Sequence, residues 1–427
     1  MKLVVNNFLA IKKAELNFNR FNVVIGEQAQ GKSVLAKLGF FFQKIFLAEL
    51  RKSIFNSETE RELSDRLVRN FLTIFPSYYW KSSKFEISFY MGTTSVKLIN
   101  EKNAGEYKTN FEFGENLCLI HKELGEFVRS RKDSITSNFS DDGVSQGPGE
   151  LLSEVGSSFE EKMSLIGVNV NGFFFIPASR AFFSTVARNV FSLMAEKIEL
   201  DPLIMQFGAQ YETVRKAFYS SEGNPAFRDI VRKHPSSLKI SRLVNKVALG
   251  DYKLEDGVDW LVQGNRKVKL NHSSSGQQEA LPMLLTLSSL AILSNRDKRF
   301  YIEEPEAHLF PSSQKNVVSI IATLYNNFNA SFFITTHSPY ILTAINNLIA
   351  ANDVYHQSKV AEDKVKALVD KDELIKYEDV NAYTLVDGVL KSINDDEVRL
   401  IGASILDSVS DDFDKVFDGL MNIMYGN

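Results

Sequence analysis

The segment Gly26-Glu27-Gln28-Ala29-Gln30-Gly31-Lys32-Ser33 follows the apolar run Phe21-Asn22-Val23-Val24-Ile25 and runs into the apolar-rich stretch Val34–Phe46. A glycine-flanked turn between a buried strand and a helix start has few geometries open to it. Glycines permit the tight reversal, and successive backbone N–H groups then point inward, toward an anion at the helix N-terminus. The spacing GxxxxGKS therefore predicts a strand, a phosphate-binding loop and a helix in that order. Within it, Lys32 offers a point charge to the β and γ phosphates, and the Ser33 hydroxyl offers a ligand to Mg2+. Gly26, Glu27, Gln28, Ala29, Gln30, Gly31, Lys32 and Ser33 are thus the expected contacts of a nucleoside triphosphate.

The rest of the chain reads as a frame for that loop. At 427 residues there is room for two or three domains. The formal charge of −4 gives no global attraction for nucleic acid. The single cysteine, Cys118, excludes an internal disulfide framework. No apolar stretch is long enough to cross a bilayer and the N-terminus lacks a signal-peptide profile, so the expected location is the cytoplasm. The chain holds 33 phenylalanines, among them Phe40-Phe41-Phe42 and Phe173-Phe174-Phe175, and these are expected to fill core.

Patterning divides the chain into five parts. Residues 1–45 read as an N-terminal lobe with the phosphate loop, 46–170 as an inserted α+β region, and 171–250 as a strand plus a helical subdomain. Residues 251–350 read as a second lobe with strand–helix alternation from Phe300 to Ala350, and 351–427 form an α/β tail. Lys84–Leu98 alternates and is expected to form a hairpin with Tyr107–Phe113. Ser134–Ser158, rich in Ser, Gly and Asp, reads as a mobile loop. An amphipathic helix is expected around Asp412–Met424. The alternation Phe300-Tyr301-Ile302, Pro311–Asn326, Ser331–Ile334 indicates a parallel sheet covered by helices.

Three further clusters carry chemistry. Glu303 and Glu304 follow the strand Phe300–Ile302 in the string Glu303-Glu304-Pro305-Glu306-Ala307-His308. Acids at a strand end next to a phosphate loop suit metal support by Glu303 and general-base work by Glu304. His337, after the strand Ser331–Ile334, stands where a side chain reaches the γ-phosphate. The turn Ser273-Ser274-Ser275-Gly276-Gln277-Gln278 precedes a helix expected over Glu279–Leu293. Its plain reading is an N-cap, and the same geometry presents a hydroxyl and free N–H groups to an anion.

The ordered set GEQAQGKS, SSSGQQ, YIEEPEAH and ITTHSPY resembles the Walker A, signature, Walker B/D-loop and H-loop motifs of ABC-type ATPases. Within that class it is similar to the chromosome-maintenance and overcoming-lysogenization-defect branch of AAA-family ATPases. Phe8-Leu9-Ala10-Ile11-Lys12-Lys13-Ala14-Glu15-Leu16 and Ile176-Pro177-Ala178-Ser179-Arg180 also resemble that branch. The resemblance implies an α/β P-loop NTPase of ABC/SMC-head type with a mixed β-sheet, an inserted α+β region and a helical subdomain. It implies ATP and Mg2+ as ligands, and head-to-tail homo-oligomers in which Ser274, Ser275, Gly276 and Gln277 of one subunit cap the triphosphate held by another. In two places the chain departs from the pattern: the metal-side acid is Glu303 where aspartate is usual, and Gln28-Ala29 stands where Asn-Gly is frequent. Slow, regulatory turnover is the expectation that follows.

No glycine-flanked glutamate followed by a DxD strand end is present, so a fused Toprim nuclease is not expected, and Arg180–Lys246 is too short and proline-broken for a condensin-type arm. The chain is most similar to the ATPase subunit of PARIS-type anti-phage defence, with Septu-type ATPases close behind. That resemblance implies a scaffold controlling a separately encoded Toprim-like effector nuclease and triggered by a phage protein. The alternative is a RecF-like repair ATPase binding duplex DNA through Arg129-Ser130-Arg131-Lys132, Arg232-Lys233-His234 and Arg266-Lys267-Val268-Lys269. A transporter-associated nucleotide-binding subunit is disfavoured by the long insertion between phosphate loop and signature.

Overall fold

The protein is seen in a computed structural model that describes residues 1–137, 148–168, 172–186, 200–220, 233–293 and 296–402, together with 223, 225, 226 and 229. The helix expected around Asp412–Met424 lies outside the described residues.

A mixed sheet of eleven strands runs through the molecule. In chain order its strands are β1 (Lys2–Phe8), β2 (Ile11–Asn17), β3 (Phe21–Ile25), β4 (Phe85–Met91), β5 (Thr94–Asn103), β6 (Glu106–Phe113) and β7 (Gly172–Ile176). A separate three-stranded sheet follows, β8 (Asp251–Glu255), β9 (Val258–Gln263) and β10 (Arg266–Lys269). The large sheet is completed by β11 (Lys298–Glu303), β12 (Ala330–Thr336), β13 (Val380–Val386) and β14 (Val389–Ser392). Its order is β6-β5-β4-β1-β2-β14-β13-β3-β12-β11-β7.

One half, β13-β3-β12-β11-β7, is parallel. Its strands are buried on both faces, as parallel strands must be, and their sequences are accordingly near-continuous apolar runs. The two-residue side-chain period sorts them cleanly. Val24, Tyr301, Phe333 and Leu385 enter one core with the helix Lys32–Phe40. Val23, Ile25, Phe300, Ile302, Phe332 and Ile334 enter the other, against the helices Ser275–Ile292 and Pro311–Asn327. The other half, β6-β5-β4-β1-β2, is antiparallel and packs an aromatic cluster. Phe8 meets Phe85 there with ring centroids 4.8 Å apart, and Phe71 meets Phe75 at 4.7 Å. Phe40, Phe41 and Phe42 are fully buried, which is what a core role for the phenylalanines requires.

Three local expectations change. The alternating run from Lys84 to Leu98 is two strands, because Gly92 with φ 53° turns the chain between β4 and β5, so β6 completes a three-stranded meander. The stretch from Ser134 to Ser158 is not a loop at its ends: a helix spans Glu115–Ser137 and another spans Pro148–Leu165. Its composition misled because Ser and Gly are tolerated where Leu151, Val155 and Phe159 bury one helical face. The helix after the serine-rich turn starts at Ser275, four residues earlier than its apolar run, because Ser274 and Gln277 form a capping box. Among the described residues, no helix is long and apolar enough to cross a membrane.

Candidate functional site

The parallel order β3-β12-β11-β7 decides the site, because each strand's C-terminal end opens on the same edge of the sheet. Ile25 pairs with Thr336 and Thr335 with Glu303, so the phosphate loop, His337 and the acid pair emerge side by side. The loop after β7, Pro177–Arg180, emerges next to the acids, since Ile302 pairs with Ile176.

The phosphate loop is braced from beneath by the tail of the chain. β13 pairs with β3 in parallel, and a Cβ on Gly26 would stand 2.9 Å from the Leu385 carbonyl oxygen. Only glycine fits there without moving backbone. Gly31, at φ 104°, caps the helix Lys32–Phe40. Ala29 holds φ 60°, a left-handed value that costs a residue with a Cβ about 1–2 kcal/mol. Alanine here is the strained choice, and a glycine at position 29 would relieve it.

Lys32 is only 5% exposed. Its Nζ donates to the carbonyls of Gly26 (2.7 Å) and Glu27 (2.5 Å) and lies 3.1 Å from His337 Nδ1. An ammonium has no acceptor, so Nδ1 accepts and the ring proton sits on Nε2. Nε2 in turn stands 3.0 Å from Glu304 Oε1. Lys32, His337 and Glu304 thus form one hydrogen-bonded line across three strand ends. Burial pulls the lysine pKa below its ordinary value, opposed by the charges of Glu304, Glu306 and Glu27.

Glu303 is buried at the end of β11. Its Oε2 accepts from Ala178 N at 3.2 Å, a reach that the extra methylene over aspartate provides. Its Oε1 is buried without a hydrogen-bond partner among the described residues. Burial raises its pKa, while Lys37, the Ala178 N–H and the Ser33 hydroxyl draw it back. An orphaned carboxylate oxygen beside the Ser33 hydroxyl is the donor set a hard divalent cation takes, so these residues fit Mg2+. Lys37 is itself paired with Asp201, the N-cap of the helix Pro202–Val214.

Three residues whose part sequence reasoning did not assign complete the cluster. Glu306 is buried, and its Oε1 accepts from Thr336 Oγ1 and from His337 N, both at 2.7 Å. Arg180 is wholly buried between the acids and the signature helix, where Glu279 accepts from the backbone N–H groups of Arg180 (2.8 Å) and Ala181 (3.0 Å). The available signal was a lone charge after an apolar strand in the string Ile176–Arg180, and a third acid in Glu303–Glu306.

The Ser274–Gln277 turn makes its bonds elsewhere. Ser274 and Ser275 are exposed, Ser274 Oγ accepts from Gln277 N at 3.4 Å, and Gln277 Nε2 donates to Ala248 O at 2.7 Å. Gly276 is pressed on the acid loop: a Cβ would stand 2.6 Å from the His308 carbonyl oxygen. Of the basic clusters, Arg131 pairs with Glu154 at 2.8 Å and Lys132 donates to Phe55 O at 2.7 Å. Lys267 pairs with Glu255, and Lys267 and Lys269 lie over the Trp260 ring at 4.5 and 5.4 Å. Arg232 lies outside the described residues.

Comparison with known proteins adds the following. No curated protein matches the chain. Among solved structures, the chain is similar to an SMC head bound to the C-winged helix domain of ScpA, at 12% identity and a TM-score of 0.40, covering 92% of this chain and 96% of that one. An SMC head domain from Thermotoga maritima is 14% identical, with a TM-score of 0.32 and coverage of 92% and 97%. The recombination mediator protein RecF, from the RecFOR pathway, is 12% identical, with a TM-score of 0.31 and coverage of 92% and 97%. Residues 192–342, a span that takes in the signature turn, the acid pair and His337, match the family described as AAA ATPase domain, and the strand order places them with the phosphate loop in an α/β P-loop ATPase fold.

Proposed function

We propose that this chain is an ABC/AAA-type ATPase that binds ATP with Mg2+ on Gly26–Ser33 and hydrolyses it with Glu304 as general base. The observation that carries the reading is the line Lys32–His337–Glu304, which aligns the phosphate-binding charge, a γ-phosphate contact and a base on adjacent strand ends. Lys32 exchanges its bonds to the Gly26 and Glu27 carbonyls for phosphate oxygens. Glu304 accepts the proton of the attacking water, and the ring N–H of His337 keeps its carboxylate oriented. Glu303 and Ser33 would hold Mg2+, which would supply charge neutralisation at the phosphates.

The exposed Ser274 and Ser275 at the start of an 18-residue helix support a composite site, in which the turn of one copy caps the triphosphate of another. By the motif resemblance, the assembly is a cytoplasmic defence scaffold controlling a separately encoded Toprim-like nuclease in response to a phage protein. The alternative is a RecF-like ATPase binding duplex DNA, for which Arg131 and Lys267, in half-exposed ion pairs with Glu154 and Glu255, would have to exchange those partners for phosphates; steeply salt-dependent DNA binding by the purified chain would favour it. The primary test is phosphate release from ATP by the purified chain. Mg2+-dependent release that Lys32→Ala abolishes is expected, and release untouched by that change refutes the site. Co-purification with the product of a neighbouring nuclease gene tests the wider setting.

A further inference from the structure

A fully buried arginine needs a reason, since stripping a charge of water is costly and an apolar side chain would fill the same space more readily. Arg180 is 0% exposed. Its N–H groups are spent on backbone carbonyls from three segments. Nη1 donates to Pro177 O at 2.8 Å and to Glu303 O at 2.7 Å, Nη2 to Glu304 O at 2.9 Å, and Nε to Glu279 O at 3.1 Å. A carboxylate oxygen of Glu279 stands 3.5 Å from Nε, and the charges of Glu306, Glu303 and Glu304 also favour the guanidinium.

Two consecutive carbonyls, those of Glu303 and Glu304, turn toward the same guanidinium. In a continuing strand they would point in opposite directions. They converge because Glu304 leaves the strand at φ 44°, a left-handed conformation that is strained for a non-glycine residue and persists only where the surroundings hold it. Ser179, beside Arg180, is left-handed too, at φ 61°. A planar fork of fixed N–H directions can grip both carbonyls at once, and an ammonium at that place cannot.

We infer that Arg180 is a positioning residue that fixes the backbone, and through it the carboxylate, of Glu304, with the main-chain carbonyl of Glu279 holding the guanidinium and the Glu279 carboxylate holding the backbone of Arg180 and Ala181. The inference rests on the reading of Glu304 as the base. It also means that the signature helix is wired to the acid loop of its own chain, through Glu279–Arg180 and through the Gly276–His308 contact.

The test is a double-mutant cycle on the full chain, reading kcat and KM for ATP hydrolysis in wild type, Arg180→Lys, Glu304→Gln and the double variant. A misplaced base predicts a kcat for Arg180→Lys lower by about 10²-fold with nucleotide affinity retained. In the Glu304→Gln background the same change is expected to cost nothing further, because the group it positions is already gone. An equal loss in both backgrounds, or a loss confined to KM, overturns the inference and leaves the base assignment standing. Parental hydrolysis by Glu304→Gln alone sinks the base assignment instead, and this inference with it. Arg180→Met serves if Arg180→Lys does not fold, since an apolar side chain of similar reach fills the space without gripping the carbonyls: a kcat lower by about 10-fold with nucleotide affinity retained supports the positioning role, and an unchanged kcat contradicts it.

Discussion

Glu306 sets two opposite stability effects at one position. It is 9% exposed, with Oε1 accepting from Thr336 Oγ1 and His337 N, and Oε2 without a partner among the described residues. Burial raises its pKa above the ordinary 4.5; the His337 N–H and Thr336 hydroxyl oppose this, and the Glu304 charge adds to it. The sign of the linkage follows. In the unfolded chain the carboxyl ionises freely above 4.5, whereas in the folded chain ionisation is resisted, so the wild type loses stability as pH rises from 4.5 through the raised folded value. Glu306→Gln keeps the Oε1 acceptor and removes the charge. A buried unsatisfied group costs about 1–3 kcal/mol and more when charged, so an amide in its place recovers on the order of 1 kcal/mol. Glu306→Ala strands the buried Thr336 hydroxyl, at about 1–3 kcal/mol, and the half-buried His337 N–H, at less. Urea unfolding followed by fluorescence of the buried Trp80 reads both. Near neutral to mildly alkaline pH, Gln is expected above wild type and Ala well below it, with the Gln gain shrinking as pH falls toward 4.5. A Gln variant less stable than wild type at about pH 8, or an Ala variant matching Gln, refutes the reasoning.

Other expectations follow from the same geometry. Lys32→Ala should abolish binding of a fluorescent ATP analogue while leaving the unfolding midpoint close to wild type, because the side chain's bonds run to loop carbonyls rather than to core; unchanged affinity counts against the phosphate loop. Ser274→Arg should retain nucleotide binding and lose hydrolysis. Mixing it with inactive Lys32→Ala should restore part of the activity, since a head-to-tail pair then regains one intact composite site. Absence of rescue in mixed oligomers argues for a site within one chain.

Much of the fold was legible because the parallel strands are short apolar runs at motif boundaries, and the glycine-flanked loop of residues 26–33 leaves one geometry. The acid pair and His337 were readable for the same reason: residues at the ends of adjacent parallel strands are neighbours by topology alone. What stayed hidden depends on long-range pairing. The tail strand β13 carries an unremarkable sequence, Val380-Asn381-Ala382-Tyr383-Thr384-Leu385-Val386, and its insertion beside β3 follows from no local pattern. Arg180 and Glu306 looked like ordinary charges, since their partners are backbone groups of other segments. Gly92 was a local signal outweighed by the longer alternation around it, and the cap at Ser274 was read as a cap while the helix start was still placed at the apolar run four residues on.

The most direct measurement is a single-turnover experiment with labelled ATP and Mg2+ on wild type and Glu304→Gln. With Glu304 as the base, the variant takes up ATP as tightly as the parent and holds it uncleaved, the chemical step slowing by about 10²-fold or more. Cleavage at the parental rate, or loss of uptake, would show that the carboxylate next to His337 does other work.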